Sequence, residues 1–148
     1  MVSLLDVNCL IALLDSDHVH HNSVKRWFRS NSKNGWSTCA ITENGLVRVM
    51  SLPRYPSGRR APEAIIERLQ ALKGAHQASH QFWPDDISLT DETLFRSEFI
   101  TGSLYVTDAY LLGLAARHGA KLLSLDRSLP WQAIRNGSLG LVETPLLQ

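Results

Sequence analysis

Near its start the chain reads SLLDVNCLIALLD over Ser3–Asp15, an apolar run broken by a carboxylate at Asp6 and an amide at Asn8. Burying an unpaired carboxylate costs several kcal/mol, the scale of a whole domain's stability. Asp6 therefore either caps a helix or holds a cation. Three further acids share its setting. Asp126 closes the apolar segment AKLLSLD, while Glu43 and Asp108 each open an apolar stripe at helical spacing. Leu46, Val47 and Met50 follow Glu43, and Leu111, Leu112 and Ala115 follow Asp108. An acid at the head of such a stripe faces the interior. Each also sits where it balances a helix dipole, worth about 0.3–1 kcal/mol, so that role stays open for Glu43 after Thr42 and for Asp108 after Thr107. Four converging carboxylates repel one another and raise their pKa values unless a cation lies between them. Oxygen donors of this kind suit Mg2+ or Mn2+, hard ions that retain waters for hydrolytic chemistry.

The elements that must position these acids alternate between strand and helix. VSLLDV reads as a buried strand followed by the short helix CLIALLD. DHVHHNSVKRWFRSN carries Val24, Trp27 and Phe28 at helical spacing, and GWSTCAI is a second strand leading into TENGLVRVM. LPRYPSGRRAP, with three prolines, is a loop, and EAIIERLQALKGA is a helix. HQFWPDDISL holds a short edge strand broken by Pro84. TDAYLLGLAARHG is a helix with Thr107 as its N-cap and Gly119 as its stop. AKLLSLD is a strand, and GLVETP adds a last one. Strand alternating with helix predicts a parallel sheet of four or five strands between two helical layers, an α/β/α sandwich. Ligands in such folds bind outside the carboxyl ends of the strands, where Asp6 and Asp126 fall.

At 148 residues the chain fits one domain, spanning 1–148. A hydrophobic fraction of 44% and a charged fraction of 20% are ordinary for a globular protein. No apolar stretch is long enough to span a membrane and no signal peptide opens the chain, so the expectation is a cytoplasmic protein. Cys9 and Cys39 form no CxxC pair and are expected reduced and buried. The net charge is +1, but setting the four candidate acids aside leaves ten against 15 Lys and Arg, a balance that suits a polyanionic substrate. Asn8 is placed to cap the first helix or to hold a metal-bound water. His18, His20 and His21 lack a further zinc ligand at set spacing, so exposed imidazoles at a helix entry are expected. The remaining acids, Asp15 and Asp17 in a polar loop and Asp91 and Glu92 at a helix start among them, look ordinary.

The segments LLDVNCLIALL, ITENGLVRV and TDAYLLGLAARHGAKLLSLDR resemble the successive blocks of PIN-domain ribonucleases, specifically the VapC toxins of toxin–antitoxin pairs. The resemblance runs from Val2 to about Arg127. It implies that Asp6, Glu43, Asp108 and Asp126 form the family's acidic quartet, with Asp6 and Asp108 as main metal ligands and Glu43 and Asp126 completing the site directly or through water. Thr107 matches the small hydroxyl residue before the third acid. It further implies a homodimer, a VapB-type antitoxin that covers the active groove, and hydrolysis of transfer or ribosomal RNA with Mg2+ or Mn2+.

Arg54, Arg59 and Arg60 flank Tyr55 in the proline-bearing loop, and Lys25, Arg26 and Arg29 share one helix; such residues steer RNA without choosing bases. Arg127, directly after the fourth acid, stands beside the cleft. Two other classes compete. A response-regulator receiver also gathers aspartates around magnesium, but it needs an acid pair on the first strand and a lysine on a late one, which SLLDV and KLLSLDR do not offer. A catalytically silent PIN fold would be a binding module, against which the intact quartet speaks.

Overall fold

The computed structural model describes residues 1–145. Five strands, β1 (Ser3–Leu5), β2 (Trp36–Cys39), β3 (His80–Trp83), β4 (Lys121–Leu123) and β5 (Val142–Glu143), form one sheet in the order β3-β2-β1-β4-β5, with every pairing parallel. Five helices connect or flank them: α1 (Val7–Leu14), α2 (His21–Asn31), α3 (Ala40–Met50), α4 (Pro62–Ala75) and α5 (Val106–Arg117). The expected α/β sandwich is thus what the chain forms.

Side-chain alternation along the strands divides the core in two. Leu5 and Leu123 join the cluster built with Cys9, Leu10, Val24, Trp27, Leu46, Met50 and Ile65, which brings α1 to α4 onto one face. Leu4 and Leu122 point the other way, into Phe95, Leu111, Leu112 and Ala115, so α5 and the segment before it cover the opposite face. The chain builds outward from β1 through β2 to β3, then returns to place β4 on the other side of β1. The reversal lies between β1 and β4, where an α/β sheet opens a crevice at its carboxyl edge.

Two local expectations give way. Thr107 is not the cap of α5: the helix starts at Val106 with Tyr105 as N-cap, and Thr107 is an exposed residue inside its first turn. The stretch after Thr90 turns instead of starting a helix, because the Asp91 carboxylate accepts from the backbone and hydroxyl of Thr93. The β3 strand does end before Pro84, at the sheet's edge. Gly45 brings α3 against α1 so closely that a Cβ there would stand 2.7 Å from Val7 Cγ2.

Candidate functional site

Asp6 leaves β1 in extended conformation and becomes the N-cap of α1. Its Oδ1 accepts from the Val7 backbone N–H at 2.7 Å and its Oδ2 from the Ser124 hydroxyl at 2.8 Å. It is 7% exposed. Capping and site-building are therefore not exclusive: one oxygen serves the helix while the side chain stays at the rim. Burial pushes the Asp6 carboxyl up, the Ser124 and Val7 hydrogen bonds pull it down, and the nearby charge of Asp126 adds to the rise.

Asp108 lies in the first turn of α5, half-buried. Burial, then the charges of Asp6 and Asp126, raise its carboxyl to about 6. No hydrogen bond or ion pair offsets this; among the described residues its carboxylate has no favourable partner. Asp126 sits three residues past β4, on an exposed loop, and its Oδ1 accepts from the Ser128 N–H at 2.8 Å. The three aspartates thus share one electrostatic neighbourhood at the β1/β4 reversal.

Glu43 is placed differently. It stands in the first turn of α3, but its Oε2 accepts from Thr38 Oγ1 at 2.6 Å and from Lys73 Nζ at 2.9 Å, with His80 Nε2 on the same threonine at 2.8 Å. Its carboxylate has cationic and hydroxyl partners from β2 and α4, which Asp108 lacks. Among the described residues no group of three His, Cys, Asp or Glu side chains is arranged to hold a metal ion as they stand.

Asn8 does not cap α1, whose N-cap is Asp6. Its Nδ2 donates to Ser124 Oγ at 3.1 Å and its Oδ1 accepts from the Leu125 N–H at 3.1 Å, so it ties the start of α1 to the loop after β4. Ser124 was not singled out in the sequence, yet its hydroxyl is the hub. It donates to Asp6, accepts from Asn8 and accepts from the Asp126 N–H at 3.1 Å. A fully buried serine at the end of the apolar strand, two residues before an aspartate, was the available signal. Thr38 and Lys73 were likewise missed; the polar Thr38 inside the buried strand WSTC was the corresponding clue.

The histidines are not exposed imidazoles. His18, His20 and His21 are half-buried: His18 Nδ1 accepts from the His20 N–H at 3.0 Å, and His21 Nδ1 donates to the Ala12 carbonyl at 2.7 Å. The proline-bearing loop is also anchored more firmly than its arginines suggested. Asp15, read as an ordinary loop residue, is wholly buried at the C-terminus of α1 and accepts from Tyr55 Oη at 2.6 Å. Arg60 reaches it at 3.5 Å and lies over the Tyr55 ring. Cys9 and Cys39 are free and buried. No helix among the described residues is long and apolar enough to cross a membrane.

The PIN domain family model matches residues 3–133. Two Mycobacterium tuberculosis proteins, Ribonuclease VapC44 and Ribonuclease VapC39, align along nearly their full length. The first is 40% identical over 90% of this chain and 92% of its own, the second 41% identical over 97% and 99%. The chain belongs to the VapC family of PIN-domain proteins. The fold has a solved counterpart as well. A crystal structure of M. tuberculosis VapC20, described as a Sarcin-Ricin loop cleaving toxin, superposes with a TM-score of 0.58. It covers 83% of this PIN chain and 87% of that one at 11% identity, a likeness of fold alone.

Proposed function

We propose that this VapC-family chain, one PIN domain over 1–148, is a metal-dependent endoribonuclease that acts as the toxin of a VapBC pair in the cytoplasm. Relatives with 40% and 41% identity carry the name ribonuclease, and the structural neighbour is a Sarcin-Ricin loop cleaving toxin. The observation that carries the reading is Asp108: a half-buried carboxylate raised to about 6, without a favourable partner, beside two further aspartates. Structural acids acquire donors; this one faces only like charge.

The donor chemistry fits a hard divalent cation. Asp6, Asp108 and Asp126 would hold Mg2+ or Mn2+, with Glu43 completing the set directly or through water. When bound, the ion supplies charge neutralisation at the phosphodiester and acidifies water for attack on phosphorus, leaving a 5′-phosphate and a 3′-hydroxyl. The chain's own contributions are positional. The Val7 N–H and the Ser124 hydroxyl fix both Asp6 oxygens, so no rotamer search is needed when substrate arrives. Asn8 holds the loop that carries Asp126 and Arg127 against α1. Arg127, exposed on that loop, offsets phosphate charge. Thr107 is exposed beside Asp108 and positions substrate through its hydroxyl. A homodimer and a VapB-type antitoxin complete the assembly.

Incubating the purified chain with total RNA and Mg2+ or Mn2+, with and without EDTA, tests the reading. Cleavage that EDTA stops and that Asp6→Asn lacks is the expected result. An Asp6→Asn protein that cuts as well as wild type would overturn it.

A further inference from the structure

A cavity of about 420 Å3 lies next to the aspartate rim, its wall formed by Phe99, Thr101, Tyr105, Arg127, Trp131 and Gln132. Two elements join it to the acid site along the chain. Arg127 directly follows Asp126, and Tyr105 caps α5 one turn before Asp108. Two of its aromatic residues, Tyr105 and Trp131, have polar tips without a protein partner among the described residues. Of the three tyrosines, Tyr55 donates its hydroxyl to Asp15 at 2.6 Å and Tyr110 to Asp85 at 3.0 Å, whereas the Tyr105 hydroxyl has no partner among the described residues. Trp83 stacks on His118 at 3.9 Å and donates its Nε1 to Gln81 at 2.9 Å; half-buried Trp131 has neither a ring contact nor an Nε1 partner. The Gln132 amide and the Arg127 guanidinium are likewise unpaired among the described residues. An unpaired Nε1 alone does not mark a site, since core Trp27 and Trp36 also lack a partner for theirs; Tyr105 and Trp131 differ in lining a cavity. Arg96 lies over the Phe99 ring and Trp131 packs partly on the core, so this concavity offers aromatic surface beside open donors and acceptors.

We propose that this cavity receives one unstacked nucleobase of the RNA, beside the phosphate to be cut, and so contributes base preference. The inference rests on the ribonuclease reading. Sequence-specific proteins splay single-stranded bases onto aromatic faces and read their edges by hydrogen bonds. Trp131 and Tyr105 supply the faces, the Gln132 amide and the Tyr105 hydroxyl supply edge contacts, and Arg127 meets the adjoining phosphate. The volume falls in the usual range of about 300–1,000 Å3 for a small-ligand site. A free amide, both donor and acceptor, is the group suited to reading a base edge.

The test measures fluorescence anisotropy of a fluorescein-labelled, unstructured oligoribonucleotide with the full chain in EDTA. Trp131→Ala and Tyr105→Ala each weaken binding by about five- to a hundredfold, the span of one lost stacking contact, while Trp131→Phe restores most of it. In wild type, replacing a single nucleotide of the probe by an abasic residue gives a comparable loss at one position, and in Trp131→Ala that replacement adds nothing. With Mg2+, sequencing the fragment 5′ ends shows that Gln132→Ala relaxes base preference at one position near the cut. Unchanged binding by both alanine variants, or an abasic scan with equal losses everywhere, overturns the proposal. So does intact RNA binding in variants that lose a protein partner instead. Should Trp131→Ala fail to fold, Tyr105→Ala and Gln132→Ala carry the same decision. Failure of the ribonuclease reading shows separately, as wild-type chain that binds the probe yet cuts no RNA with either metal.

Discussion

Helix α1 has an aspartate at each end, and the two ends live under opposite rules. Asp15 lies at the C-terminus, where the helix dipole disfavours a negative charge. Burial alone would also raise its pKa, yet Tyr55, Ser57, the Asp17 N–H and Arg60 together hold it below the usual carboxylate range. Asp6 lies at the N-terminus, where the dipole favours it, and its pKa is nevertheless raised, as is that of its neighbour Asp108. The dipole therefore does not decide. What decides is burial set against company: at Asp15 donors outweigh burial, whereas at Asp6 and Asp108 burial leads the rise and neighbouring carboxylate charge adds to it. Asp15 has a full complement of donors and, among the described residues, Asp108 has none, which under the proposed function leaves Asp108 for a ligand.

The comparison breaks most sharply at Asp108. Replacing it by Asn removes several kcal/mol of charge stabilisation in the transition state, so cleavage falls by about a thousandfold or more. Single-turnover cleavage with Mn2+ reads this, alongside thermal melting to show that the variant is folded. At the opposite end of α1, Tyr55→Phe withdraws a hydrogen bond to a buried charge and costs about 1.5–3 kcal/mol of stability. Urea denaturation checks it, and activity per folded molecule stays near wild type. Swapped outcomes, with Tyr55→Phe silencing the enzyme and Asp108→Asn unfolding it, would dissolve the distinction.

A smaller effect sharpens it through pH. For Asp108, with a folded pKa near 6 against about 4 unfolded, the native state binds the extra proton between those values. Stability in EDTA therefore falls as pH rises through this window, and Asp108→Asn removes the loss. The variant is more stable than wild type by about 1 kcal/mol at pH 7, allowing for solvent screening at a half-exposed group, and the gap closes by about pH 4. Asp15 runs the other way: its contribution is present above its unfolded pKa and is lost on acidification through its lowered folded value. The smallest effect belongs to Lys73→Met. Its partly exposed pair with Glu43 contributes up to about 1 kcal/mol, and the difference in melting shrinks in 1 M salt.

The alternation of strand and helix made the sheet legible, because buried parallel strands and amphipathic helices differ in period. The acids were legible for the same reason, since a charge in an apolar run is conspicuous. Three kinds of residue were hidden. Ser124 bonds Asp6 118 residues away, and Thr38, besides Glu43 five residues on, meets His80 42 residues away; no local pattern reports such distances. Asp15 looked like loop because Tyr55, 40 residues on, is what gives it a reason to be buried. Thr107 looked like a cap from its neighbours, but the preceding turn of 3-10 helix at Ser103–Tyr105 carries the chain into α5 earlier, leaving the threonine inside.

Gly45 sets a dimension. Its missing methyl lets α3 rest on Val7, the residue immediately after Asp6, two positions from Glu43 on its own helix. The gap between the first and second acids is thus gauged by backbone against a valine, and any side chain at 45 acts as a wedge driven between them. Tuning the span between the two helix starts that carry these acids would need no change to either acid, only a shim one carbon thick.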